Sequence, residues 1–340
     1  LDATQVNPNG SVGAVEIIAG TSTIEVSALQ ATAYNNMGIP GAKSFHLVAP
    51  NYGNLGGVAI GAANPYFVRH ATTPSATVLG DKITKNPTFF TNWIGANDVL
   101  AYATGGGALP DNPLTPTVDE SLLPTAADDH NATGNFDPAT YGSNDITNNG
   151  VFASVYNTIV TTLTANGAKG VVATVPSVTS IPYFTTVPYA PLSPTALGGS
   201  ANINALNAQL YGLLDGIFTA YGEPNRVNPL VATAANPLLI TDVAAADRSA
   251  QISGYLITVL NYPPATANAF GAVFGKARQT TAADLIVLPA SSVIGTVNNA
   301  APAGININGV SYPMANKWVL TPTEQAKVAS ATASYNSSIV

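Results

Sequence analysis

An amphipathic helix placed directly before an uninterrupted apolar strand, between Phe152 and Pro176, constrains the fold more than any other stretch of this sequence. The spacing predicts a helix over Phe152–Ala165, with Val155, Ile159, Val160 and Leu163 on one stripe and Asn166-Gly167 as its C-terminal cap. The run Ala168-Lys169-Gly170-Val171-Val172-Ala173-Thr174-Val175-Pro176 follows at once. It reads as a fully buried strand of the parallel kind, since it is nearly continuous in apolar residues rather than alternating. An earlier strand is expected in Pro87-Thr88-Phe89-Phe90-Thr91-Asn92-Trp93-Ile94, where aromatic and β-branched residues follow a proline that can open a strand. Strand, helix, strand is the order of a βαβ unit, whose crossover is right-handed, and the fold class expected is α/β.

The remaining pattern extends this reading. Helices are expected over Ala201–Tyr221, with Ile203, Leu206, Leu210, Leu213, Leu214 and Ile217 at three- and four-residue steps, and over Ala244–Val259 and Ala267–Ala277. Short strands are expected at Pro237–Asp242 and Ala283–Leu288, and hairpin strands at Val15–Ile18 and Thr23–Val26. Residues 50 to 66 read as loop, and residues 108 to 150, rich in Pro, Asp, Asn and Thr, as a long surface insertion. Thr321-Pro322-Thr323-Glu324 is a capping box with proline at the first helical position. The helix it opens runs through Val328, Ala331, Tyr335 and Ile339 to the final residue without a cap. With Leu1 in place of an initiator methionine, that ending suggests a chain cut at both ends.

Composition excludes several functions. Charged residues are 9% of the 340 and apolar residues 46%, the reverse of a disordered composition. A net charge of −7 with scattered Lys and Arg leaves no basic stripe for nucleic acid. The longest apolar runs are strand-length, too short to span a bilayer, so no transmembrane segment is expected. With no cysteine there is neither a disulfide nor thiolate chemistry, and low charge with abundant Asn and Thr tilts towards export.

Chemistry concentrates in two short stretches. Gly95-Ala96-Asn97-Asp98 ends the strand in a turn, ahead of a short helix at Val99–Ala103 stopped by Gly105-Gly106-Gly107. In an open α/β sheet ligands bind at the carboxyl ends of strands, where an asparagine can aim its amide N–H at a substrate oxygen. The competing reading is that Asn97 and Asp98 only cap the helix. Upstream, Gly38-Ile39-Pro40-Gly41-Ala42-Lys43-Ser44 makes a tight loop before a helix start. It leaves the Gly41 N–H where a developing anion is favoured. No nucleophile elbow, metalloprotease helix, EF-hand loop, P-loop or dinucleotide fingerprint is present. With three histidines and no cysteine, neither a transition-metal site nor a cofactor is expected. Asp128-Asp129-His130 reads as a solvated surface cluster, His46 as partly buried and satisfied, and His70 as packing against the aromatic run Tyr66-Phe67.

Glycine-x-Asn-Asp after a strand, preceded by the Gly41 loop, resembles the SGNH (GDSL-type) hydrolases. Asn36–Lys43, Asn86–Phe90, Gly167–Ala173, Ser180–Pro188 and Val319–Glu324 are similar to a Bacteroidetes-type subgroup of extracellular GDSL lipases. The resemblance implies a single three-layer α/β/α domain over 1–340 with a mostly parallel, flavodoxin-like sheet. Insertions would fall at about 105–150 and 222–310. It implies carboxylic ester hydrolysis of lipid or glycan esters, in a secreted or outer-membrane-anchored bacterial lipoprotein. Asn97 would donate its side-chain amide and Gly41 its backbone N–H to one oxyanion hole, Gly95 would allow the turn, and Asp98 would hold the loop.

The family's Gly-Asp-Ser-Leu nucleophile block and Asp-x-x-His base block have no counterpart here. No Asp or Glu stands three residues before any histidine, so the nucleophile serine and base histidine are not found and this chain alone is expected to be nearly inactive. Two other readings compete: a non-catalytic surface-binding protein on the same fold, and a β-rich adhesin built on the Asn/Thr/Gly-rich loops.

Overall fold

A computed structural model describes residues 29–110, 122–123 and 125–340; the two hairpin strands expected before residue 28 lie outside them. The chain divides into two compact units, one of Leu1–Pro40 with Ala49–Asn86, the other of Gly41–Val48 with Pro87–Val340.

The first unit is built on short helices. A 3-10 turn at Leu55–Ile60 stands inside the stretch expected to be loop, started by Asn54, whose side chain accepts from the Gly56 N–H. Helix α1 (Pro65–Val68) begins at a proline behind Asn64, and α2 (Val78–Ile83) behind Thr77, each cap accepting a backbone N–H. Phe67 is fully buried and His70 meets the rings of Phe67 and Tyr34 edge-on, so His70 packs as its aromatic neighbours suggested.

The second unit holds the βαβ pattern. Strand β1 (Phe89–Asn92) leads through a turn into α3 (Asn97–Thr104). A one-turn helix α4 (His130–Thr133) precedes the long α5 (Asn149–Thr164), and strand β2 (Lys169–Val172) returns parallel to β1, with Phe89 opposite Lys169 and Phe90 opposite Gly170. The Phe90 ring lies so close over Gly170 that a Cβ there would meet it at 2.4 Å, which is why a glycine interrupts an otherwise apolar strand.

The expected burial of these strands needs correction. Only Phe90 and Asn92 of β1 face inward, while all four residues of β2 are exposed, Val171 at 56%. Among the described residues each strand pairs only with the other, so continuous apolar sequence does not produce two-sided burial here. Among the described residues the other strands also form pairs rather than one sheet.

A short α6 (Pro182–Thr185) is followed by α7 (Gly199–Leu206), a π turn over Asn207–Tyr211, and α8 (Gly212–Ala220). The π turn rotates the stripe expected of one regular helix, burying Tyr211 and Phe218 and leaving Leu206 and Leu213 only partly covered. Strand β3 (Leu239–Thr241) pairs antiparallel with β4 (Ala277–Gln279) across the hairpin of α9 (Ser249–Thr258) and α10 (Pro264–Phe274). Strand β5 (Leu285–Ile286) pairs antiparallel with β6 (Val319–Leu320), which enters α11 (Pro322–Ile339).

The architecture is therefore a mixed helix and strand fold, helices predominating, which sets aside the β-rich reading. In the second unit the helix faces enclose a core, in which Phe152 of α5 stacks on Tyr335 of α11 at 4.2 Å. No helix among the described residues is long and apolar enough to cross a membrane.

Within the stretch expected to be a surface insertion, residues 131 to 144 are exposed or half-buried, but 127, 130 and 145 to 148 are buried and need correction. Ile146 and Thr147 are fully buried, with Asp145, Asn148 and His130 nearly so. Their polarity concealed this: Asp145, Asn148 and His130 are buried as hydrogen-bonded partners, and pattern alone does not separate that from exposure.

Candidate functional site

The site is built where the Gly41 loop meets the start of α3. Gly95 adopts φ +129°, and a Cβ on it would meet Val175 Cγ2 at 2.6 Å and the Phe152 ring at 3.1 Å. Only glycine takes that backbone without strain, and only glycine fits. The turn it permits delivers Asn97 and Asp98 into the first turn of α3. Neither caps the helix, since the position before it is Ala96 and carries no side-chain cap. The capping alternative therefore fails, and both side chains reach the Gly41 loop instead.

Asn97 Nδ2 donates to the Ala42 carbonyl at 2.9 Å, two peptide units along the chain from the Gly41 N–H. An amide nitrogen has two hydrogens, and this bond engages one. Gly41 is exposed with φ +75° and nothing within 4 Å of where a Cβ would stand, while Asn97 is half-buried. Among the described residues the Gly41 N–H has no hydrogen-bond acceptor.

Asp98 is fully buried and grips the same loop through Ser44, accepting from its N–H at 2.9 Å and its hydroxyl at 2.7 Å. Burial raises the Asp98 carboxyl above the ordinary range, while the Ser44 hydrogen bonds and the Lys43 charge pull the other way. Lys43 is itself buried, its Nζ donating to the Asp145 carbonyl at 2.6 Å. Desolvation lowers its pKa against the attraction of Asp98 and Asp145. The Lys43 N–H donates to His46 Nδ1 at 3.0 Å, and burial together with the Lys43 charge lowers His46 to about 4. His46 is thus a neutral acceptor that closes the turn of the loop, as the partly buried reading required.

Behind this loop stands a second polar group that the sequence did not reveal. His130 Nε2 donates to Asp145 Oδ2 at 2.9 Å, and its ring stacks on Tyr141 at 3.7 Å. Asp145 also accepts the N–H groups of Asp128 and Gly142. The solvated-cluster reading of Asp128-Asp129-His130 is corrected accordingly, because only Asp128 is exposed. Asp128, His130 and Asp145 each place a potential ligand atom within 4.8 Å of the others. The closest two are already joined by a hydrogen bond, and both Asp145 oxygens are engaged, so the arrangement reads as a closed net that braces Lys43.

Gly41, Gly95, Asn97 and Asp98 are thus brought together by direct contacts or by the turn they share, whereas His46 and His130 serve the loop behind them. Lys43 and Ser44 were missed. Their only signal was position, directly after the Gly41-Ala42 turn. The structure places a half-buried amide on the carbonyl of Ala42, the residue after an exposed, positive-φ glycine, on a braced loop. No protein-family model, curated protein or solved structure matches this chain.

Proposed function

We propose that this chain carries the oxyanion-stabilising part of a serine ester hydrolase of the SGNH type. Asn97 and Gly41 are its two donors. A single observation supports this most: the Asn97 amide is tied to the carbonyl of Ala42, the residue that follows the exposed, positive-φ Gly41, instead of capping its own helix. In this reading a serine attacks the ester carbonyl with a histidine as base, and the oxygen that gains charge accepts from Asn97 Nδ2 and the Gly41 N–H. Asp98, through Ser44, is a positioning residue for the loop. The parallel β1–β2 pair would be part of a three-layer α/β/α arrangement with a flavodoxin-like sheet. The substrates would be lipid or glycan esters, handled outside the cell or at a bacterial outer membrane.

The test is hydrolysis of p-nitrophenyl esters of graded chain length by the full gene product. Turnover that falls by about 10²–10³ when Asn97 is replaced by alanine is the expected result. Absence of turnover on every ester would overturn the reading. It would favour the second one, a binding protein on the same fold.

A further inference from the structure

The α9–α10 hairpin ends in an apolar tip with an unusual surrounding. From Ser249 to Gly275 the chain contains no Asp, Glu, Lys, Arg or His. Every residue from Thr258 to Thr266 is exposed. Four large side chains crowd this end, Tyr255, Val259, Leu260 and Tyr262, each between 36% and 54% exposed. The tip is an ordered turn. Asn261 takes φ +55°, the Tyr262 N–H donates to the Leu256 carbonyl at 2.9 Å, and Pro263-Pro264 start α10.

The base of the hairpin is equally rigid. Ile252 and Leu256 of α9 and Ala267 and Phe274 of α10 lie in the core. Gly271 and Gly275 pack so tightly on Ser249 and Ser253 that a Cβ at either would fall within 2.5 Å of a neighbouring atom. The tip therefore cannot fold back to cover its own apolar groups.

We propose that this tip docks the protein on a neutral lipid surface. Two features select that occupant. The tip's four side chains expose on the order of 400 Å², about half of what each partner of a standard protein interface buries. Shallow insertion of aliphatic groups with tyrosines at headgroup depth uses such a patch fully. The absence of charge along the whole hairpin, in a protein of net charge −7, fits a zwitterionic surface and not an anionic one. Docking needs no catalysis, so it can fail or succeed independently of the esterase reading.

The test is co-sedimentation of the full chain with phosphatidylcholine vesicles at low and high salt, beside the triple variant V259S/L260S/Y262S. The expected result is salt-insensitive binding of the wild type, a partition coefficient at least ~10-fold lower in the variant, and unchanged circular dichroism. In a Leu260→Trp variant, fluorescence should shift to the blue when vesicles are added. Three results would overturn the proposal. These are no binding to phosphatidylcholine, equal binding by the triple variant, and a blue shift that follows protein concentration without vesicles, which would mark the tip as a contact between copies of the chain.

Discussion

Replacing Asp98 by alanine removes the clamp on the Gly41 loop, and its cost can be worked from the contacts. The carboxylate accepts from the Ser44 N–H at 2.9 Å and the Ser44 hydroxyl at 2.7 Å, with no solvent access. Hydrogen bonds to a charged group each contribute about 1.5–3 kcal/mol. Truncation also leaves the Ser44 N–H without its acceptor and the buried Lys43 ammonium short of a nearby negative charge. The expected loss is therefore about 3–6 kcal/mol, from the two hydrogen bonds together.

Asp98→Asn is the informative partner. Its carbonyl can still accept from the Ser44 N–H, and its amide can donate to the Ser44 oxygen, so both contacts survive without the charge. That variant should lose only about 1–2 kcal/mol. Urea denaturation followed by circular dichroism reads both values, and hydrogen exchange at the Ser44 amide reads the loop itself. Exchange should accelerate strongly in Asp98→Ala and modestly in Asp98→Asn. An alanine variant within about 0.5 kcal/mol of wild type, the range of an ordinary surface substitution, would refute the clamp.

Two further outcomes follow from the same geometry. His46 is lowered to about 4 from an ordinary 6.5, so as pH falls the unfolded chain takes up the proton before the folded one. The stability it contributes is complete above pH 6.5 and is lost as pH falls through 4, by about 3 kcal/mol at most after allowance for solvent screening. Urea midpoints measured across that window should flatten in His46→Asn, which keeps an acceptor that does not titrate. Gly95→Ala should destabilise by about 3 kcal/mol or more, because φ is +129° and the added Cβ meets Val175 and Phe152 in the core. Thermal unfolding of this variant, with a melting point near wild type as the contrary result, checks it.

What was legible in the sequence was periodic. The 3.6-residue stripe of α5, the capping box of α11 and the short apolar run of β3 all specify elements that form close to their expected bounds. Each depends on local spacing. Burial was not legible where it depends on what lies alongside: β2 reads as an interior strand, yet its four residues are exposed and among the described residues it pairs with β1 alone. Polar residues hid in the other direction, since Lys43, Asp98, His130 and Asp145 are buried only because the fold brings them to one another across 15 to 102 residues. At the site, Gly95-Ala96-Asn97-Asp98 announced a turn with chemistry on it, and the bond from Asn97 to Ala42, 55 residues away, was invisible until the chain folded.

The central claim rests on one side chain. Asn97→Ala in the full gene product, assayed on a short-chain p-nitrophenyl ester, tests it most directly. A fall in kcat of about 10²–10³ is expected, the usual consequence of removing one oxyanion donor, with a loss of only about 0.5–1.5 kcal/mol of stability from the bond to the Ala42 carbonyl. Near-normal turnover in the folded variant would contradict it.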